Sequence, residues 1–434
     1  MKRTFLAIPI LALLSLSVTS FALAEEKPQA NPTLRLPDLI QQALEKNPEI
    51  IAAKAGWLAS KKAIMASWAL PDPVGGYDIM GPMVETMNGP EKNRFMISQE
   101  VPFPLKLWEK RKAAKVEADG VHARFRALER DITNKLTQRY YQLYYIDASL
   151  DTLAEVKDLL KKIEGVAQAR YANTSGSQRD VAKAQTEFSM NLEKFYTLEQ
   201  QRESIAAQIN ALLDQDPMTV IGKAALPSRP AMDRSLVELI NLAVQNRQEI
   251  KEAEAIASKT HYAKRLAQLA YLPDLNVGFE YTRVGKGSTT AAHDGQDTWM
   301  FPLRFNIPLW QNRMIPEIQE AKKLEEAGQA KLIAAKNQTF FEVKDAFHRF
   351  ETASKIADLY DVAIVPQAKL ALSADQAGYE SGKTGFLDLL DSERVYLNAK
   401  LSRIQFQAET LKAYADLSWA TGLDLNNQKA EPQP

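Results

Sequence analysis

Residues 299–307 read Trp299-Met300-Phe301-Pro302-Leu303-Arg304-Phe305-Asn306-Ile307. Every second side chain, from Trp299 through Phe301, Leu303 and Phe305 to Ile307, is large and apolar, while Met300, Pro302, Arg304 and Asn306 fall between them. A period of two is the period of a β-strand. The stretch 276–284 alternates in the same way: Val277, Phe279 and Tyr281 oppose Asn276, Gly278, Glu280 and Thr282. Earlier in the chain Phe95, Ile97 and Val101 oppose Arg94, Ser98 and Glu100, and a weaker partner runs from Tyr77 to Val84, interrupted by Gly81 and Pro82. Strands of about nine residues with one aromatic-rich face and one polar face fit the lipid and lumen sides of a membrane barrel. A half-buried soluble sheet alternates identically. On the barrel reading Phe279, Tyr281, Trp299, Phe301, Leu303 and Phe305 face lipid. Four strands cannot close a barrel, since the smallest bacterial ones have about eight. The subunit must then associate, and three copies would supply twelve strands.

Outward from these strands the chain is written twice. Leu39-Ile40-Gln41-Gln42-Ala43 … Glu49-Ile50 returns as Leu239-Ile240-Asn241-Leu242-Ala243 … Glu249-Ile250. Leu70-Pro71-Asp72 returns as Leu272-Pro273-Asp274, Val101-Pro102-Phe103 as Ile307-Pro308-Leu309, and Tyr171 … Asp180 as Tyr379 … Asp388. Order and spacing are kept, so a whole structural unit is duplicated, far longer than a solenoid repeat. We read residues 25–213 as the first repeat, with strands at about 75–84 and 93–101. Residues 214–233, with Pro217, Pro227 and Pro230, form a linker or equatorial segment. Residues 234–421 form the second repeat, with strands at about 274–284 and 297–307, and 422–434 form a tail.

Within each unit a helical stretch (about 37–69 and 234–271) stops at Leu-Pro-Asp, where proline removes a donor and forces its predecessor out of helix. After the strands comes a very long helix, about 105–171 and 312–380, then a turn and a second helix, about 177–213 and 385–420. Apolar residues step by alternating threes and fours: Leu387, Leu390, Arg394, Leu397, Leu401, Ile404, Ala408, Leu411, Ala415, Ser418, and Phe340, Val343, Phe347, Phe350, Ser354, Ala357, Asp361, Ile364. That is a seam facing a neighbouring helix. At ~1.5 Å per residue the long helices reach roughly 100 Å, which no compact domain needs. In the first unit the two shorter helices together match the long one in length, so stacked end to end beside it they would make a two-row rod, and a sheared packing fits the same lengths.

Fifty-four basic and fifty-four acidic residues balance in a chain of 434, leaving no net field to attract nucleic acid. Lys2 and Arg3, the apolar run Phe5 to Val18, and Ala22-Leu23-Ala24 have the three parts of an export signal, so 1–24 is read as a cleaved signal peptide. There is no cysteine, hence no disulfide and no lipid anchor on cysteine. No later stretch is long enough to span a bilayer as a helix, so entry into a membrane requires a barrel.

A duplicated unit of helix, two strands, long helix, turn and helix after a signal peptide resembles the TolC family of outer-membrane efflux ducts. The likeness runs from about Leu36 to Gly422, and its most specific pieces are Arg170-Tyr171 … Asp180-Val181 and Gly378-Tyr379-Glu380-Ser381-Gly382 … Leu387-Asp388-Leu389-Leu390-Asp391. The resemblance implies a mainly α-helical chain with a membrane β-barrel segment. It implies a homotrimer whose twelve-stranded barrel continues into a long periplasmic α-helical barrel, in outer-membrane lipid. Its partners would be a periplasmic adaptor and an inner-membrane pump of the RND type. Asp388 and Asp391 occupy positions resembling the family's inward-facing acidic rings, where three-fold symmetry gathers carboxylates that attract cations. Tyr379 and Asp180 match a tyrosine and an aspartate that link neighbouring hairpins in the closed tip, with Arg179 and Thr384 standing where the family's usual partners are. Leu70-Pro71-Asp72-Pro73 and Gln99-Glu100-Val101-Pro102-Phe103-Pro104 resemble segments of the heavy-metal and cation efflux branch.

The chemistry of catalysis is missing: no nucleotide-binding glycine loop, zinc motif or nucleophile elbow occurs. The four histidines, His122, His261, His293 and His348, have no ligand spacing. Met80, Met83, Met87 and Met96 cluster, and thioethers suit Cu(I), although methionines there more often pack. No cofactor is expected. The competing reading is an elongated periplasmic coiled-coil scaffold or adaptor without a pore. A scaffold has no reason to present Trp299, Phe301, Leu303 and Phe305 outward, where a water-exposed apolar face aggregates.

Overall fold

A computed structural model describes residues 34–81, 85–174, 176–225, 228–288, 290 and 292–425. The export signal expected at 1–24, Met83, and the tail beyond residue 425 lie outside the described residues. Both halves run two helices, a β-segment, a long helical stretch and a last helix, the long stretch being one helix in the first half and two in the second. The first has α1 (Leu36–Lys46), α2 (Pro48–Ala66), β1 (Val74–Ile79), β2 (Glu85–Thr86), β3 (Gly89–Val101), α3 (Pro104–Ala172) and α4 (Gln178–Leu212). The second has α5 (Leu236–Asn246), α6 (Gln248–Gln268), β4 (Leu275–Val284), β5 (Thr298–Met300), β6 (Leu303–Phe305), α7 (Gln311–Leu359), α8 (Val365–Glu380) and α9 (Phe386–Thr421).

The short helices break where the sequence supplies a cap. Asn47 takes extended dihedrals before Pro48 and its side chain accepts from the amides of Glu49 and Ile50 at 2.9 and 3.3 Å. In α5 the pair Ser235 and Glu238 forms a reciprocal capping box. The duplication extends to how these helices are tied down. Asn47 donates to the carbonyl of Leu212 at the end of α4, at 3.0 Å. Arg247, at the matching place in the second half, donates to the carbonyl of Ala420 at the end of α9, also at 3.0 Å. Its guanidinium stacks 4.0 Å from the Trp419 ring and pairs with Glu342 at 2.6 Å. Arg247 is 3% exposed, so removing it strands a carboxylate and a carbonyl in a dry contact. Arg247→Ala is expected to cost roughly 3 kcal/mol, read as a lower thermal midpoint. Arg124→Ala, which breaks an exposed pair with Glu252, is expected to change it little.

The long helices carry the rod. α3 has 69 residues and therefore runs roughly 100 Å. It packs against α2 along its first half, through Ile50 and Trp57 with Phe125 and Ile132. Its later residues, Leu136 and Leu143 among them, join Ile205 and Ile209 of α4 in one core. α6 crosses to both α3 and α7. Gly328 of α7 permits that approach, because a Cβ there would meet the Thr260 Oγ1 at 2.7 Å. α7 reaches α8 through a five-residue π-type turn, Tyr360–Ile364, where Val365 donates to Tyr360. Pro366 has no amide to continue the α-pattern there, and a π-turn absorbs the mismatch.

The seam of α9 differs from the sequence reading at its tip end. Leu387 is 55% exposed and Arg394 is exposed, whereas Phe386, Leu390, Glu393 and Leu397 are buried. Both registers step by threes and fours, and the apolar Leu387 favoured the wrong one. The consequence is a buried glutamate where an exposed arginine was placed in the seam.

The sheet is a ribbon in the order β1, β3, β4, then β5 and β6 sharing one line. β5 and β6 hold a single register against β4, pairing Tyr281 with Trp299 and Val277 with Leu303. The strand read over 297–307 is therefore one strand interrupted at Phe301-Pro302. Proline lacks the amide the ladder needs there, yet its carbonyl still accepts from Gly278 at 2.9 Å. Gly278 suits that close approach, since a Cβ would stand 3.0 Å from the Pro302 ring.

Candidate functional site

The register of the ribbon stacks side chains into rows. Tyr77, Phe95, Tyr281 and Trp299 are directly opposed across all four lines. Ile97 pairs with Phe279, whose ring lies 5.2 Å from that of Phe301, and Leu275 lies between Val101 and Phe305. One face thus carries aromatic and aliphatic groups from edge to edge. The other carries Asp78, Arg94, Met96, Glu280 and Arg304, with Arg304 donating to Glu280 at 2.7 Å. Burial is inverted relative to a soluble half-buried sheet. Along β4 the residues Gly278, Glu280, Thr282 and Val284 are buried while Val277 and Phe279 are exposed. Trp299, Phe301, Leu303 and Phe305 are 59–68% exposed. Tyr281 is half-buried, its hydroxyl held by Asp297. No described helix is long and apolar enough to cross a membrane.

Where strands meet helices, Asp274 gathers the junction. Its carboxylate accepts from the Phe103 amide and from Lys106, both at 2.8 Å, while its own amide donates to Asn306. Both Leu-Pro-Asp segments precede a strand, but this aspartate alone bridges the two repeats. β-ribbon and helical rod are thereby joined by charge-assisted bonds rather than by a flexible loop.

The far end is made of two helical hairpins. Thr174 turns with φ 58° between α3 and α4, and Gly382 with φ 77° between α8 and α9. Between the hairpins lies a small core of Ile163, Ala167, Ala184, Leu372, Tyr379, Phe386, Leu389 and Leu390. Tyr379 is 3% exposed, and its hydroxyl has no hydrogen-bond partner among the described residues. Burial, and then the Asp180 carboxylate, raise its pKa, while Arg170 opposes them. Tyr379 and Asp180 are thus brought into one neighbourhood without a direct hydrogen bond. Arg170, at the end of α3, does the joining: its guanidinium lies 4.6 Å from the Tyr379 ring and donates to the Tyr379 carbonyl. In the sequence Arg170 stands out only as part of a repeated segment. Thr384 closes the α8–α9 turn by donating its amide to Gly378 at 3.2 Å, and residue 378 must be glycine because a Cβ would collide with the Thr384 side chain.

Asp388 and Asp391 lie one turn apart on the exposed side of α9. Asp388 also accepts from the Gly385 amide at 3.2 Å, which fastens the start of the helix. Asp391 acts on Arg394, whose guanidinium binds Glu187. Sequence reasoning missed three buried polar groups near the tip, Glu187 and Asn191 on α4 and Glu393 on α9. The available signal was a charged residue at each possible seam position, 393 and 394. Among the described residues no group of three or more histidine and carboxylate side chains is placed to hold a metal ion.

The chain is thus an elongated helical rod joined to a β-ribbon whose apolar face is exposed. A family model described as "Outer membrane efflux protein" matches residues 39–215 and again 239–423, and the chain belongs to that family of outer-membrane channels. It is 22% identical over 398 residues to the cobalt-zinc-cadmium resistance protein CzcC of Cupriavidus metallidurans, covering 89% of each chain. In structure it is similar to the outer-membrane channel OprN (TM-score 0.77, 18% identity, 89% of each chain). It is equally similar to the outer membrane protein VceC of Vibrio cholerae (TM-score 0.76, 18% identity, 89% of this chain and 96% of that one). These likenesses show the fold.

Proposed function

We propose that three copies of the chain assemble into a twelve-stranded barrel in the outer membrane, continuous with a periplasmic helical tunnel that is closed at its tip. The observation that carries this reading is the inverted burial of β4, with Glu280 and Thr282 covered and Val277 and Phe279 bare. Such a face is costly in water and favourable in lipid. The ribbon has two edge strands, β1 and the β5–β6 line, whose backbone groups need partners in a bilayer. Pairing the β1 edge of one subunit with the β5–β6 edge of the next satisfies both. Phe279, Tyr281, Trp299, Phe301, Leu303 and Phe305 then meet lipid, and Arg94, Glu280 and Arg304 line water.

At the tip, Asp388 and Asp391 form two acidic rings that select cations, and Tyr379 with Asp180 belongs to the latch that keeps the hairpins together. The duct is passive. A periplasmic adaptor and an inner-membrane pump, of the RND type, supply selection and energy. Similarity to a protein named for cobalt, zinc and cadmium resistance supports metal cations as the cargo. The test is Asp388→Ala/Asp391→Ala in planar bilayers. Cation preference is expected to fall several-fold with the barrel intact. An unchanged preference removes the acidic rings from the pore while leaving the duct in place.

A further inference from the structure

Between α4 and α9, one turn from the tip core, lies a set of polar groups that the duct reading does not use. Glu393 is 1% exposed and neither of its carboxylate oxygens has a hydrogen-bond partner among the described residues. It sits in the α9 seam between Leu390 and Leu397, where α3 contributes Ile163 on one side and Leu153, Val156 and Leu160 on the other. On α4, Glu187 and Asn191 are buried, and both amide atoms of Asn191 also lack partners among the described residues. Glu187 is not orphaned, since Arg394 donates to it through Nε at 3.0 Å. An ionised carboxylate with no donor in a dry seam is among the costliest groups a coiled coil can carry.

We propose that Glu393 is a proton-operated wedge: neutral, it lets α4 and α9 close on each other, and ionised, it loosens the hairpins just above the tip. The charged groups that act on it are Glu187 and Lys194 from α4 and Arg394 from its own helix. The α3 residues packed on either side of it, Leu153, Val156, Leu160 and Ile163, are aliphatic. Burial first, and then the Glu187 carboxylate, raise the Glu393 pKa to about 7, with Lys194 and Arg394 opposing. The folded pKa lies above the ordinary carboxylate value, so the packed state binds the extra proton. Packing is at full strength in acid and weakens as pH rises from about 4.5 towards about 7, beyond which the loss is complete. A displacement of that size corresponds to a change of roughly 300-fold in the opening equilibrium. The wedge itself does not require the gate reading, although its effect on conduction does.

The experiment is amide hydrogen exchange on the purified full-length protein from pH 5.5 to 8.5, corrected for intrinsic rates and followed in peptides spanning 178–200 and 386–400. In wild type, protection there is expected to fall at least tenfold across that range while the α5–α7 region holds. Glu393→Gln, and the apolar Glu393→Met should the first fold poorly, are expected to keep high protection at every pH. Protection in wild type that does not change with pH, or that falls equally in both variants, overturns the wedge. Bilayer conductance on the same samples separates the two ideas. Loosening without a rise in conductance keeps the wedge and counts against the tip as the gate.

Discussion

Phe301→Arg is expected to abolish stable insertion into outer-membrane lipid while leaving the helical rod folded. Phe301 is 68% exposed, packs edge-on against Trp299 and tilts against Phe279. A charge placed there has no partner on the apolar face, and at the bilayer midplane an arginine costs about 2–4 kcal/mol in a barrel. Repeated in three subunits, that is roughly 6–12 kcal/mol per pore, enough to reverse insertion. Met300→Arg is the control, because Met300 is opposite Glu280 on the polar face of the same strand. It is expected to insert normally. Fractionation of membranes, with circular dichroism to confirm helix content, distinguishes the pair. Equal insertion of both variants would mean the ribbon does not face lipid.

Arg170→Ala is expected to loosen the tip and raise resting conductance several-fold. The substitution removes the charge-assisted bond to the Tyr379 carbonyl, worth about 1.5–3 kcal/mol, and the contact with the Tyr379 ring, worth about 0.5–2 kcal/mol. Nothing else described bridges the end of α3 to the end of α8 in this way. Conductance traces of the variant and wild type at matched trimer content provide the measurement. A tip that stays equally closed would show that the apolar core around Leu372, Phe386 and Leu389 suffices on its own.

Much of the fold was legible because long, simple patterns specify it. The three-four stepping of apolar residues, proline at Leu-Pro-Asp, and the alternation around Trp299 and Phe301 each reflect a backbone period that tertiary contacts do not override. The interruption at Pro302 was hidden for a local reason: apolar alternation continues through it, and only the missing amide and the bare Gly278 opposite reveal it. Glu393 was hidden because two registers of one seam fit the same steps, and burial alone separates them. At the tip, Arg170 stands in a repeated segment of the sequence, but its bond to the Tyr379 carbonyl spans 209 residues and no local pattern announces it. The bonds of Asp274 to Phe103 and Lys106 span 171 and 168 residues.

The most direct measurement of the duct is single-channel conductance of the purified wild-type protein in planar lipid bilayers, with its mass determined in parallel. Trimers that insert and give small, steady, cation-selective steps are the predicted result. Folded, helical protein that neither inserts nor conducts would contradict it, and the chain would then be an elongated periplasmic scaffold.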